Sequence, residues 1–152
     1  MRRKAFKPII TLVGVKQARE GFTFLHEGAS SLCDGCQYRR VCMNNLVIGR
    51  VYSVVRTRTQ VFPCMLHDEG VQVVEVVEAE TEASIDQKYA FEGATIVFHP
   101  QDCELINCVN YERCVPHGLK ENDRCKIIKV VGVLTCPASR RLAVVVLKRL
   151  LE

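Results

Sequence analysis

Residues 13–25, VGVKQAREGFTFL, and residues 85–97, IDQKYAFEGATIV, lie 72 positions apart, and their likeness decides the architecture. Laid on one another without a gap, they pair Lys16 with Lys88, Ala18 with Ala90, Glu20 with Glu92, Gly21 with Gly93 and Thr23 with Thr95. Extending the match to Val13–Cys64 on Ile85–Cys136 adds Val61 on Val133, and Cys36, Cys42 and Cys64 on Cys108, Cys114 and Cys136. The total is nine identities in 52 positions, where chance pairing at ordinary composition gives roughly three. Beyond Cys64 the same shift sets Val73 and Val74 on Val145 and Val146. The chain therefore reads as a duplication, with repeat one over 1–80 and repeat two over 84–152, packed as a single compact domain over 1–152.

Each repeat carries an additional cysteine upstream of the shared three, Cys33 in the first and Cys103 in the second. The spacings are C-x2-C-x5-C-x21-C and C-x4-C-x5-C-x21-C. Eight of the nine cysteines thus fall into two sets of four, Cys33, Cys36, Cys42 and Cys64, and Cys103, Cys108, Cys114 and Cys136. Four soft ligands are what one tetrahedral metal ion or one iron–sulfur cluster requires. In a reducing compartment such cysteines are metal ligands more often than disulfides, and an odd total fits disulfides poorly. The ninth, Cys125, falls opposite Ser53 under the shift and reads as a small core residue.

Composition bounds the rest. At 152 residues and 48% apolar content the chain supports a real core, although each half alone is marginal without its metal. No apolar run approaches a membrane span, and the basic, then apolar, N-terminus lacks a small-residue cleavage site. The expectation is a cytoplasmic protein without a membrane partner. The net charge is +4, but a four-thiolate zinc site or a four-cysteine cluster carries about −2, so two filled sites bring the total to about zero. Overall charge is thereby weakened as an argument for nucleic-acid binding.

Strand signals dominate at Pro8 to Val15, Phe22 to Leu25, Arg50 to Phe62 and Gly70 to Val77, and again at Ala94 to Phe98, Arg124 to Leu134 and Leu142 to Leu147. Only Cys33 to Asn45 and Cys103 to Val115 suit short helices. The expected fold is mainly β, an α+β arrangement with short helices and a pseudo-two-fold internal repeat. In each unit the last cysteine lies in the connection of a hairpin. Thr81 to Ala90, charged and without a clear β pattern, is expected to be the linker.

Zinc knuckles usually show two close C-x2-C pairs. Here three cysteines fall within ten residues and the fourth is distant. The C-x2-C-x5-C segment resembles that of several four-iron, four-sulfur proteins, including a class of cluster-bearing nucleases, although no nuclease constellation of acidic residues and lysine accompanies it. A large cluster also tolerates the x2 and x4 variation better than one small ion. Two iron–sulfur clusters, of the 4Fe-4S type, are favoured, with two zinc ions as the alternative. His67 and His117, each three residues after a cysteine, offer a mixed Cys/His set. They do not correspond under the shift, nor do His26 and His99, and all four read more simply as ordinary exposed or hydrogen-bonded histidines.

The C-x2-C-x5-C run from Cys33 to Cys42, the C-x4-C-x5-C run from Cys103 to Cys114 and the segment from Glu20 to Gly28 together resemble a family of small archaeal proteins of uncharacterised activity. That family is noted for two cysteine clusters suggested to be iron–sulfur redox centres, and the resemblance extends over nearly the whole chain. It implies electron transfer or redox sensing with a protein redox partner. As in two-cluster ferredoxins, Cys64 and Cys136 could serve either their own repeat or the other.

A second function class, a zinc-stabilised RNA or nucleoprotein binding module, rests on Arg50, Tyr52, Arg56 and Arg58. Strand alternation places these on one face, where arginines and an aromatic suit phosphate and base contact. An enzyme is disfavoured. Four-cysteine sites have no open coordination position, and no P-loop, dinucleotide fingerprint or zincin motif occurs. Lys16, Glu20, Lys88 and Glu92 read as surface ion-pairing residues.

Overall fold

Runs rich in β-branched residues, whose stiff side chains suit a pleated surface, form the long elements among the described residues. The computed structural model describes residues 8–28, 37, 45–64, 67 and 69–150. The chain divides into two compact units, Met1–Ala79 and Glu80–Glu152. The first contains β1 (Ile9–Gly14), a 3-10 turn at Val15–Gln17, β2 (Thr23–Leu25), β3 (Val51–Phe62) and β4 (Val71–Glu78). The second contains β5 (Thr81–Asp86), a 3-10 turn at Gln87–Tyr89, β6 (Thr95–Phe98), helix α1 (Tyr111–Cys114), β7 (Asp123–Leu134) and β8 (Leu142–Arg149). Each unit is a four-stranded antiparallel sheet, in the orders β1-β4-β3-β2 and β5-β8-β7-β6. The fold is mainly β and consistent with a duplicated unit.

One expectation is overturned. Thr81 to Ala90 is not a linker, because Thr81–Asp86 is the edge strand β5, followed by its 3-10 turn. Its charges misled the pattern. Glu82 and Asp86 are exposed, while Ala83, Ser84 and Ile85 between them are buried. An edge strand tolerates such charges, and they discourage edge-to-edge pairing with another chain.

The two sheets repeat one another with small insertions that the gapless comparison conceals. β2 lays Phe24 on Tyr52, and β6 lays Ile96 on Cys125, so Tyr52 and Cys125 correspond at an offset of 73. The turns before β3 and β7 agree: Gly49 N–H donates to His26 C=O at 2.8 Å, and Asn122 N–H to Phe98 C=O at 2.9 Å. Gly49 and Asn122 both have left-handed φ, 89° and 73°, a conformation open to glycine and tolerated by asparagine. Both long strands then carry a two-for-one bulge, at Val54/Arg56 and at Ile127/Lys129. A second irregularity spans Thr57 to Val61 in β3 but only Val130 to Gly132 in β7, so that Val61 and Val133 are again 72 apart just ahead of Cys64 and Cys136. After that turn the offset is 71, and fully buried Val74 answers to fully buried Val145.

The cores match accordingly. Val13, Leu46, Tyr52, Val54, Val74 and Val76 fill the first unit. Ile85, Leu119, Cys125, Ile127, Val145 and Leu147, with Phe98, fill the second. Phe98 occupies the place that buried His26 holds in the first sheet. Among the described residues no helix is long and apolar enough to cross a membrane.

Candidate metal centre

The β7–β8 connection presents Cys136. Ser139 N–H donates to Cys136 C=O at 2.9 Å, and Ser139 itself takes a left-handed φ of 65°. A turn of this kind points successive amides into one hollow, which favours an anion. The amides of Arg140, Ala138 and Ser139 do so here. Hydrogen bonding from the Arg140 backbone, aided by that of Ala138, the Arg140 charge and the Ser139 amide, holds the Cys136 thiol below the ordinary cysteine range against a smaller opposing effect of burial. In the first unit His67 N–H likewise donates to Cys64 C=O, at 3.4 Å.

Helix α1 brings Cys114 to the sheet. Arg113 Nε donates to Glu82 Oε1 at 2.7 Å, fastening the helix to β5, and Arg113 Nη1 to Asn110 Oδ1 at 2.6 Å at the start of the helix itself. Cys114 is buried with Leu134, Leu142 and Val144, and Cys136 packs against the same cluster. On β5 the wholly buried Ser84 donates its hydroxyl to Cys114 Sγ at 2.9 Å. Cys108 ends a turn that begins at Leu105, and its sulfur accepts Asn110 N–H at 3.4 Å. Three sulfurs of the second set, those of Cys108, Cys114 and Cys136, thus accept hydrogen bonds from amides or a hydroxyl.

Electrostatically the set of four converges on Cys114. Burial pushes its thiol up, Ser84 partly offsets this, and the thiolates of Cys103, Cys136 and Cys108 raise it further. A buried thiol under the charge of other thiolates resists ionisation until a cation enters, so ligand deprotonation and metal binding would be coupled at this position. Cys136 acts on Cys114 within its own unit. Among the described residues, no group of three or more His, Cys, Asp or Glu side chains is close enough to hold one metal ion as it stands.

Of the first set, Cys64 is described and half-buried, whereas Cys33, Cys36 and Cys42 lie outside the described residues. The histidines are scattered. His26 is buried, His117 is exposed, His99 pairs with Glu121, and His67 lies against Gly14, where an added Cβ would stand 2.6 Å from the His67 ring. Cys125 is fully buried in the apolar core of the second unit, as a small core residue should be.

The four residues expected on a nucleic-acid face, Arg50, Tyr52, Arg56 and Arg58, do not share one side of β3. Arg50 and Tyr52 are buried, and Tyr52 Oη accepts Val47 N–H at 2.9 Å. Arg56 and Arg58 turn instead to Glu75 on β4, at 3.9 and 2.8 Å. The bulge at Val54/Arg56 breaks the alternation, so residues before and after it no longer share a side. Lys16 and Glu92 behave as surface residues: Lys16 lies 3.8 Å from Glu69, and Glu92 accepts Val130 N–H at 3.3 Å.

Ser84 was not legible as a site residue. Its signal was a lone hydroxyl between Ala83 and Ile85, opposite Leu12 in the first repeat. Residues 9–147 match the model of an uncharacterised protein family, UPF0179. The chain is 36% identical over 140 residues to a UPF0179 protein of Methanocaldococcus jannaschii, covering 91% of this chain and 93% of that protein. It is 40% identical over 126 residues to one of Methanosarcina mazei, covering 82% and 84%, and 38% identical over 128 residues to one of Pyrococcus furiosus, covering 84% and 88%. No solved structure matches. By the family model and by these archaeal relatives alike, the chain belongs to the uncharacterised protein family UPF0179.

Proposed function

We propose that this protein is a cytoplasmic two-centre metalloprotein in which each repeat holds one iron–sulfur cluster on four cysteines and uses it for electron transfer or redox sensing. The observation that carries the proposal is the hydrogen bonding of the second set of cysteines. Amides and a hydroxyl reach the sulfurs of Cys108, Cys114 and Cys136, the pattern of donors that stabilises coordinated thiolates and tunes their centre. Cys125, in the core of the second unit, instead has its own thiol donating to Asp123 C=O at 3.8 Å.

The donor set fits the group. Four soft sulfurs come from a helix end, a turn, an irregular segment and a hairpin connection, and the x2 and x4 variation between repeats suits a cluster more than a single small ion. A bound cluster would supply one-electron chemistry. The chain's own part is to deliver thiolates, to aim N–H and O–H groups at them, and to shield Cys114 from water behind Leu134, Leu142 and Val144. Closed four-cysteine coordination leaves no open ligand position, which favours carrying or sensing electrons over catalysis. Purification without oxygen, followed by visible and electron paramagnetic resonance spectra before and after reduction, tests the proposal. A brown protein whose visible absorption bleaches on reduction supports it; a colourless, spectroscopically silent zinc protein overturns it.

A further inference from the structure

Beside the Cys136 turn, the second unit has an open cleft of about 750 Å³ between the start of its 3-10 turn and the β7–β8 connection. Three cations line it, Lys88, Arg140 and Arg141, against a single carboxylate, Asp86. That carboxylate is partly engaged already, since Asp86 Oδ1 accepts Lys88 N–H at 3.0 Å. Arg140 is held in place by Gln101 Oε1 at 3.2 Å and Asp102 C=O at 2.6 Å. These bonds employ two of the five donors of a guanidinium and leave three for a ligand. The walls are fixed by backbone bonds as well: Gln101 N–H donates to Cys114 C=O and Gln87 N–H to Arg141 C=O, each at 3.0 Å.

The first unit serves as an internal control. Lys16 occupies the place of Lys88, but at the offset of 71 that holds after the turn Glu69 stands where the second unit has Arg140, and Gly70 where it has Arg141. Lys16 Nζ lies 3.8 Å from Glu69, so its charge is met within the fold. Glu69 and Arg140 are both exposed, so this charge reversal contributes nothing to packing, and Arg141 adds a second exposed cation. What it changes is the charge presented beside the turn, neutralised in one copy and cationic in the other.

We infer that the cleft of the second unit binds a small phosphorylated ligand of nucleotide size. Its volume lies within the ~300–1,000 Å³ usual for small-molecule sites. A preorganised arginine joined by a second arginine and a lysine is the donor set suited to a phosphate group. The cleft shares Arg140 with the Cys136 turn, but the inference does not depend on which metal the cysteines hold.

Calorimetric titration of the full chain, as purified, with inorganic pyrophosphate tests the inference, with citrate as a carboxylate counterpart. Pyrophosphate is expected to bind saturably and more weakly as salt is raised. Combined Lys88→Gln and Arg141→Gln substitutions should weaken it at least tenfold, Lys88→Gln alone several-fold, and Lys16→Gln in the first unit not at all. Both cleft residues are exposed, and the bond from Gln87 to the Arg141 carbonyl survives substitution, so an unchanged circular dichroism spectrum accompanies the expected loss. Absence of saturable binding, equal affinity in the double variant, or citrate bound as tightly as pyrophosphate would each overturn the inference.

Discussion

Replacing Ser84 with alanine should loosen the second metal centre and leave the first unchanged. The Ser84 hydroxyl is fully buried and lies 2.9 Å from Cys114 Sγ, and in a loaded centre that sulfur is an anionic thiolate. Hydrogen bonds to charged groups contribute about 1.5–3 kcal/mol. With ~2 kcal/mol lost, the binding constant falls roughly 30-fold, since ~1.4 kcal/mol is one factor of ten. Removal of an outer partner of a metal ligand independently gives about 10–100-fold, so the two estimates agree. Alanine leaves no unsatisfied donor of its own, and the strand bonds of β5 to β8 are backbone bonds that persist. Leu12 stands at the equivalent place in β1, so the first centre never had this hydroxyl and acts as the reference. Chelator challenge, followed spectroscopically, should show one phase of metal loss accelerated and the other unaltered. Equal acceleration of both phases, or none of either, would refute the argument that Ser84 holds the Cys114 thiolate.

Other outcomes follow from the same geometry. Gly70→Ala would force a left-handed φ of 87° on alanine and set its Cβ 2.5 Å from the Phe62 carbonyl oxygen; a cost of about 3 kcal/mol is expected in chemical denaturation, and an unshifted midpoint would contradict it. Cys125→Ala should cost about 1 kcal/mol, the loss of one buried small group, while metal content stays that of the parent; loss of metal would make Cys125 a ligand after all. In the metal-free chain, iodoacetamide should alkylate Cys136 before Cys114 and continue to do so at lower pH than for free cysteine. Cys136 is held low by backbone amides and Cys114 is raised by burial, and only the thiolate reacts. Peptide mapping that found Cys114 modified first would reverse that assignment.

The repeat was legible because each half carries its own strand pattern. Pro8 to Val15, Arg50 to Phe62 and the apolar runs after Cys64 and Cys136 all emerged as strands near their expected bounds. Gly21 and Gly93 mark the same turn, with φ of 89° and 85°. What escaped was register. A gapless shift of 72 aligns the cysteines only because an extra residue ahead of β7 is cancelled by a shorter irregularity within it. Between those points, Cys125 answers to Tyr52 instead of Ser53, a pairing visible only in the hydrogen bonding. The bulge at Val54/Arg56 likewise undid the alternation that grouped Arg50, Tyr52, Arg56 and Arg58, because a two-for-one step reverses the faces beyond it. Strand β5 was missed since its charges lie at its flanks while its buried centre is only Ala83, Ser84 and Ile85. The same short segment holds the serine that reaches Cys114 and leads directly into the cationic cleft.

The central claim is that eight cysteines hold two iron–sulfur clusters, and the most direct test is iron, acid-labile sulfide and zinc analysis of the chain purified without oxygen. The account predicts roughly eight iron and eight sulfide per chain with zinc absent, falling to about half in a Cys114→Ala variant as one cluster is lost. Two equivalents of zinc without sulfide, or a natively folded chain with no bound metal, would contradict it.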